Sequence, residues 1–131
     1  MNRILLVDDE PAWLEQLKRA LPGCDVDAAR TYEEAEELLG KNEAYDVAVV
    51  DLNLIDGGDE LGGKLLTLLR KSYPLTRRIA LSGTPPGSVW TKVFNLYAVD
   101  ELLLKNSMTL QEFRQAVETA LQRRLTGGQA G

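Results

Sequence analysis

The sequence predicts a single α/β domain in which a parallel sheet carries helices on both faces. Short, almost continuously apolar runs alternate with segments whose apolar residues recur at helical spacing, and this strand–helix alternation repeats five times. Such runs are typical of strands that are buried on both faces, and parallel strands need right-handed crossover connections. The length of 131 residues fits one domain that buries roughly two-thirds of the surface of its unfolded chain.

The first half of the chain contains three predicted strands and two predicted helices. Pro11 opens the first helix, which has leucines on one face and stops at Pro22. A capping box of Thr31 and Glu34 opens the second helix, which Gly40 is expected to end. The predicted strands are 3–7, 24–29 and 47–52, and the second helix is predicted over 32–39.

The second half repeats the pattern after a glycine-rich turn that is predicted over 56–63. Pro74 marks the end of the helix that follows this turn, and a capping box of Thr109 and Glu112 opens the final helix. We expect the domain to span 1–125 and the small, polar residues 126–131 to form a flexible tail. The remaining predicted elements are the helix 64–72, the strand 78–81, the helix 89–97 and the strand 102–104.

Composition and charge limit the classes of function. The net charge is −5, which argues against nucleic acid as a partner because phosphate contacts need clustered Lys and Arg. No apolar run approaches the ~18 residues of a membrane span, and the N-terminal run is too short for a signal peptide. Cys24 is alone, so no internal disulfide forms, and we expect a cytoplasmic protein. The chain has no histidine, so chemistry that passes through histidine needs a partner.

Polar side chains stand at the ends of four predicted strands. Asp8 and Asp9 follow the first strand, Asp51 ends the third, Ser82 the fourth and Lys105 the fifth. The carboxyl ends of parallel strands meet at one edge of a sheet, where ligands bind in open α/β folds. Three carboxylates at this edge repel one another, and a divalent cation removes that cost. Mg²⁺ is the natural choice because it takes hard oxygen ligands and shares a phosphate.

Each of these residues also has a structural interpretation that requires no functional site. Asp8 and Asp9 are suitable N-caps for the helix that begins at Pro11. Asp51 and Ser82 can be turn residues, and Lys105 can be a solvated strand end. Five such residues at one edge favour a functional site over five separate coincidences.

The motifs around these residues resemble the receiver domain of two-component response regulators. The resemblance covers about residues 2–125 and implies a CheY-like, flavodoxin-like fold: a doubly wound, five-stranded parallel sheet of order 2-1-3-4-5. Each motif alone is weak, but their order and their positions on the predicted elements are specific. The motifs are ILLVDDEP at 4–11, VVDLNL at 49–54, LSG at 81–83 and ELLLK at 101–105.

The resemblance implies a metal site for Mg²⁺ and a phosphoryl acceptor. Asp9 would bind the ion directly, with help from Asp8, while Asp51 and the backbone carbonyl of Asn53 supply further oxygens. Asp51 would accept the phosphoryl group, and Mg²⁺ would offset the repulsion between the two anions.

The resemblance also implies the remaining roles and the partners. Lys105 would pair with one phosphoryl oxygen, and the Ser82 hydroxyl would donate to another. The donor would be a phosphohistidine on a histidine kinase or a histidine phosphotransfer protein. The acyl phosphate would decay by slow autodephosphorylation, so we expect no enzyme activity on other substrates. The output would be docking of a downstream protein on the face made by the helix 89–97, the last strand and the last helix. The chain would be a monomer or weak dimer, either without an effector domain or as a detached piece of a larger regulator or hybrid kinase.

Four features depart from the family pattern. Ile55-Asp56 stands where the family usually has proline, and 57–63 looks like an insertion. Leu102 replaces the aromatic residue three positions before the lysine, and Asn106 replaces the proline after it, so we expect a trans or reshaped turn there. Pro85-Pro86-Gly87 stiffens the loop after the fourth strand.

Two other functions fit parts of the pattern. A degenerate receiver that acts as a constitutive docking module agrees with Leu102 and Asn106, although the intact acids argue against it. A phosphatase of the haloacid-dehalogenase type also uses an aspartate at a strand end. That class needs a second aspartate two residues after the nucleophile, where this chain has Asn53, and it needs a cap domain that this length does not provide.

Overall fold

The structure is a computed structural model that describes residues 2–41, 45–52, 59–83, 95 and 97–130. Five parallel strands form one sheet of order β2-β1-β3-β4-β5, which confirms the predicted fold class and strand order. The strands are β1 Arg3–Val7, β2 Asp25–Ala29, β3 Val47–Asp51, β4 Arg77–Ser82 and β5 Glu101–Leu104. The helices are α1 Pro11–Arg19, α2 Tyr32–Lys41, α3 Asp59–Ser72 and α4 Leu110–Ala130.

The register of the strands brings their carboxyl ends to one edge. Val7 of β1 pairs with Val50 of β3, so the residues that follow them, Asp8 and Asp51, are neighbours. On the other side of β3, Asp51 itself pairs with Leu81 of β4. The backbone register of the sheet therefore places Asp8 and Asp51 next to each other.

Side chains of alternating direction build two apolar cores, one on each face of the sheet. Alternation along a strand sends successive side chains to opposite faces. In β1, Ile4 and Leu6 join the core under α1 and α4, whereas Leu5 and Val7 join the core under α2 and α3. Full burial of each such side chain contributes roughly 1.5–3 kcal/mol, which explains why these runs show no polar alternation.

Three predicted helix boundaries are wrong: α1, which is predicted to stop at Pro22, ends at Arg19, and the other two boundaries lie at glycines. The helix predicted to end at Gly40 continues to Lys41, which forms an i,i+4 ion pair of 2.8 Å with Glu37. The helix predicted over 64–72 begins at Asp59, inside the segment predicted as a turn. There Gly62 packs directly on backbone atoms of Asp51 and Leu52, where a Cβ would have no space. Tertiary packing, which helix propensity does not include, selects the helix at this point.

The last helix begins at the predicted capping box. The Thr109 hydroxyl accepts the Glu112 backbone N–H at 3.0 Å, and the Glu112 carboxylate accepts the Thr109 N–H at 2.8 Å. The backbone of this helix continues through 126–130, and the flexibility of this segment stays a prediction. Of the helix predicted over 89–97, only Asn95 and Tyr97 are described, and both are helical. Among the helices described, none combines the length and hydropathy that a membrane span requires.

Candidate functional site

Three carboxylates meet at the carboxyl edge of the sheet. Asp8 follows β1, Asp9 begins the connection to α1, and Asp51 is the last residue of β3. One carboxylate oxygen from each lies within 4.8 Å of the others. Asp8 is 1 % exposed and Asp51 2 % exposed, so their mutual repulsion is only weakly screened by water.

Lys105 brings the countercharge to this cluster. It follows β5, and its Nζ lies 2.8 Å from Asp8 Oδ2 and 3.4 Å from Asp51 Oδ2. The contact with Asp8 is an ion pair between two buried side chains. Burial alone would lower the pKa of Lys105, but the contact with Asp8 and the charge of Asp51 outweigh it, so this pKa is raised. The lysine is therefore held as a buried cation.

Asp9, Asp51 and Lys105 line a cavity of about 390 Å³ at the sheet edge. The Trp13 ring of α1 forms one wall, and Lys105 Nζ lies 5.1 Å from its centroid. On another side, the amide of Asn106 donates to the carbonyl of Gly83 at 3.2 Å and joins the loops after β5 and β4. Glu10 also reaches the cavity.

The donor set fits a hard divalent cation. All three acids offer carboxylate oxygens, the ligands that Mg²⁺ takes in proteins. Asp9 Oδ2 is buried, and within the part of the chain that the structure describes it has no hydrogen-bond partner. A buried, unsatisfied carboxylate oxygen is costly, and a bound cation would satisfy it.

The interpretation of the first two acids as helix caps finds no support in the geometry. The N-cap of α1 is Glu10, which makes no side-chain capping hydrogen bond. Asp8 Oδ1 accepts the backbone N–H of Glu10 at 2.9 Å, so this oxygen orients the turn between β1 and α1. The other Asp8 oxygen remains directed at Lys105.

Of the other two predicted site residues, the structure describes Ser82 but not Asn53. Ser82 is buried at the end of β4, and its carbonyl accepts the backbone N–H of Lys105 at 2.8 Å. Among the described residues that line the cavity, Gly83 rather than Ser82 comes from this strand end. The backbone carbonyl of Asn53, the substitution at 55–56 and the loop 85–87 lie outside the described residues.

Sequence reasoning missed the lateral wall formed by Trp13 and Asn106. The available signal was spacing: Trp13 lies in the first turn of a helix that opens two residues after the acids, so it lies close to the strand ends. The side of the helix that faces the site depends on tertiary packing. Leu102 is 5 % exposed and belongs to the core under α2 and α3. The described residues contain no cis peptide bond, in agreement with the trans turn expected at Asn106.

Comparison with known proteins identifies the family to which the chain belongs. The profile of the response regulator receiver domain matches residues 4–118, which is most of the chain. The chain belongs to the receiver domain family of response regulators. No curated protein sequence matches the chain significantly.

Solved structures agree with this assignment. A CheY-like response regulator receiver domain protein from Methanospirillum hungatei JF-1 is 25% identical, with a TM-score of 0.85 over 97% of this chain and 98% of that one. The signal receiver domain of an HD domain-containing protein from Pseudomonas fluorescens Pf-5 is 28% identical, with a TM-score of 0.85 over 95% and 98% of the two chains. A receiver domain protein from Clostridium thermocellum is 25% identical, with a TM-score of 0.79 over 95% and 97%.

Proposed function

We propose that this receiver domain accepts a phosphoryl group on Asp51 from the phosphohistidine of a histidine kinase or a histidine phosphotransfer protein. The observation that carries the proposal is the meeting of Asp8, Asp9 and Asp51 within 4.8 Å, next to a cavity that Asp9, Asp51 and Lys105 line. A strand end with a fixed backbone, a buried carboxylate and an adjacent cation is suited to phosphoryl transfer, which depends on positioning and on charge stabilisation.

In the proposed step, a carboxylate oxygen of Asp51 attacks phosphorus. The bond from phosphorus to the imidazole nitrogen of the donor breaks, and its electron pair remains on that nitrogen. Lys105 Nζ, 3.4 Å from Asp51 Oδ2, attracts a phosphoryl oxygen as a point charge. The Ser82 hydroxyl, at the neighbouring strand end, would donate to another phosphoryl oxygen.

Asp8, Asp9 and Asp51 are the described residues that would hold Mg²⁺, and Asn53 is the fourth predicted ligand through its backbone carbonyl. The chemistry that the ion supplies when bound is charge neutralisation between the carboxylate and the incoming phosphoryl group. Asp9 contributes the buried oxygen that otherwise lacks a hydrogen-bond partner among the described residues. Asp8 contributes a side chain whose second oxygen is already oriented by the Glu10 backbone.

The signal would end by hydrolysis. Water attacks phosphorus, the acyl–phosphate bond breaks, and inorganic phosphate leaves while the Asp51 carboxylate is restored. The chain would therefore act as a timed switch and not as an enzyme with its own substrate. Docking of a downstream protein would use β5, α4 and the helix predicted over 89–97. A cytoplasmic location is part of the proposal and rests on the lone thiol of Cys24, which suits a reducing compartment.

The direct test is incubation with acetyl phosphate and Mg²⁺, followed by intact-mass measurement. We expect wild-type protein to gain one phosphoryl group in the presence of Mg²⁺ and none in EDTA. Asp51→Asn is expected to gain none. Asp25→Asn is the matched control, because it removes a half-exposed aspartate at the opposite end of the sheet, and it is expected to behave like wild type. Equal modification of Asp51→Asn and wild type would refute the assignment.

The alternative function, a constitutive docking module, makes a different prediction. Its affinity for a downstream partner would be the same with and without beryllofluoride and Mg²⁺. The buried position of Leu102 agrees with this alternative, but the retained acid cluster and its lysine favour phosphoryl acceptance.

A further inference from the structure

We propose that Trp13 is a positioning residue that holds the Lys105 ammonium in the phosphoryl site through a cation–π contact. The inference rests on the proposed function and extends it to a residue outside the acid–lysine cluster. Lys105 Nζ lies over the Trp13 ring, 5.1 Å from the centroid, and both side chains line the cavity that contains Asp51.

The fold places the indole and the lysine on the same side of the sheet. Trp13 packs against the core under α1 and α4, together with Val49 and Leu103. Asp51 stands two residues beyond Val49, and Lys105 stands two residues beyond Leu103, so the alternation along the strands directs the side chains of Asp51 and Lys105 toward the side on which Trp13 packs. The contact therefore follows from the register of the sheet and the packing of α1.

The contact has a role that the two ion pairs of Lys105 do not fill. Asp8 and Asp51, the anionic partners of Lys105, are also the carboxylates that would bind Mg²⁺. A cation shared by these carboxylates weakens their attraction for the ammonium, because the same negative charge then serves two positive groups. The indole face attracts a cation without being a ligand of a hard metal ion. Trp13 thus keeps Lys105 at the cavity when its carboxylate partners are engaged elsewhere.

Burial strengthens this argument. Lys105 is 6 % exposed, so its ammonium has little access to water as an alternative partner. Cation–π contacts are stronger when the cation is desolvated. Trp13 is half-buried and lines the same cavity.

The first measurement detects the contact itself and does not depend on phosphoryl chemistry. Trp90→Phe leaves Trp13 as the one tryptophan of the chain, so its fluorescence and indole NMR signal report on this site alone. Lys105→Met in this background is expected to shift both signals, because it removes the cation over the ring. Lys18→Met, which neutralises an exposed lysine of the same protein, is the control and is expected to leave them unchanged. Unchanged Trp13 signals in Lys105→Met would overturn the inference.

The second measurement tests positioning. Trp13→Leu removes the aromatic face, whereas Trp13→Phe keeps one of smaller size. We expect Trp13→Leu to weaken beryllofluoride binding at saturating Mg²⁺ between about 2-fold and about 30-fold, the range that one cation–π contact supplies, and Trp13→Phe to recover most of the loss. Mg²⁺ affinity without beryllofluoride is expected to stay near the wild-type value in both variants. Far-UV circular dichroism and urea unfolding identify the conditions in which each variant is folded.

The outcomes separate this inference from the function on which it rests. If wild type neither binds beryllofluoride nor gains a phosphoryl group, the proposed function fails, and the positioning role fails with it. If wild type does both but Trp13→Leu binds beryllofluoride as wild type does, the function stands and only the role of Trp13 is overturned. An equal loss in Trp13→Phe and Trp13→Leu also contradicts the inference, because it indicates packing and not the aromatic face.

Discussion

Gly62 lies in the first turns of α3, directly over the end of β3. A Cβ atom at this position would lie 2.7 Å from the Asp51 carbonyl oxygen, 2.7 Å from Leu52 Cα and 2.9 Å from the Leu52 oxygen. Ordinary contacts begin at 3.4 Å, and all three atoms belong to the backbone, so none of them can move by a change of rotamer. Gly62→Ala must therefore shift either the helix or the strand end that carries Asp51.

The magnitude follows from two opposing effects. Overpacking of this kind costs about 1–3 kcal/mol. Replacement of a helical glycine by alanine returns roughly 0.5–1 kcal/mol. We therefore expect a net loss of about 1–2 kcal/mol in the free energy of unfolding, and about 4 °C in melting temperature per kcal/mol for a domain of this size. Because the clash is at the Asp51 backbone, Mg²⁺ affinity is expected to fall as well.

Gly40 is the matched control for this prediction. It is also helical and exposed, but a Cβ there has no atom within 4 Å. Gly40→Ala should therefore raise stability by roughly 0.5 kcal/mol, the lower end of the difference between alanine and glycine in a helix, because the residue stands near the end of α2. Urea and thermal unfolding followed by circular dichroism measure both variants. The reasoning is refuted if Gly62→Ala is as stable as wild type, or if the two substitutions change stability in the same direction.

Three further predictions concern separate parts of the molecule. Asp9→Asn removes one of the three clustered charges, so thermal unfolding in EDTA should show a gain of about 1 kcal/mol in the free energy of unfolding. Added Mg²⁺ should no longer stabilise this variant, and a loss of stability in EDTA would contradict the prediction. Burial raises the pKa of the Cys24 thiol, so the pH profile of its alkylation by iodoacetamide should lie at higher pH than that of the urea-unfolded chain, and coincident profiles contradict this. Asp100 accepts the Arg78 backbone N–H at 2.9 Å and forms an ion pair with Arg77 at 3.4 Å. Urea unfolding should therefore show that Asp100→Ala lowers the free energy of unfolding by about 1–3 kcal/mol, and a loss within error of zero would contradict this.

The elements buried on both faces were the most predictable from sequence. All five strands differ from their predicted ranges by at most one residue at each end. For β1, β3 and β4 the reason is that their apolar runs have no alternative solvent-facing arrangement. The helices α2 and α3 were less predictable at Gly40 and Gly62. Glycine permits a turn at both positions, and only packing decides whether a helix forms instead.

The acids and the lysine of the candidate site were predictable for a similar reason. Asp8, Asp51 and Lys105 follow buried strands, so the sheet fixes their position once the strand order is known. The contribution of Trp13 depends on the rotation of α1, and that of Asn106 depends on the shape of a loop. The hydrophobic periodicity of the sequence determines neither the rotation of α1 nor the shape of this loop.

The contacts between β4 and β5 determine how a change at Asp51 would reach the rest of the molecule. Leu102 is packed in the core beside Ala80 of the adjacent strand and provides no ring or hydroxyl to relay a movement. The ends of β4 and β5 are nevertheless joined by two hydrogen bonds, from the Lys105 backbone N–H to the Ser82 carbonyl at 2.8 Å and from the Asn106 amide to the Gly83 carbonyl at 3.2 Å.

The second of these hydrogen bonds exists because the chain has Asn106 at this position, since proline has no side-chain donor. Each bond contributes about 1 kcal/mol, so a displacement of Ser82 toward a phosphoryl oxygen would either carry the end of β5 with it or lose that energy. The substitution that removes the proline of the family pattern thus also supplies a connection between the two strand ends. A receiver that lacks an aromatic residue at 102 therefore still has a physical link from β4 to β5, through backbone and amide and not through a moving ring.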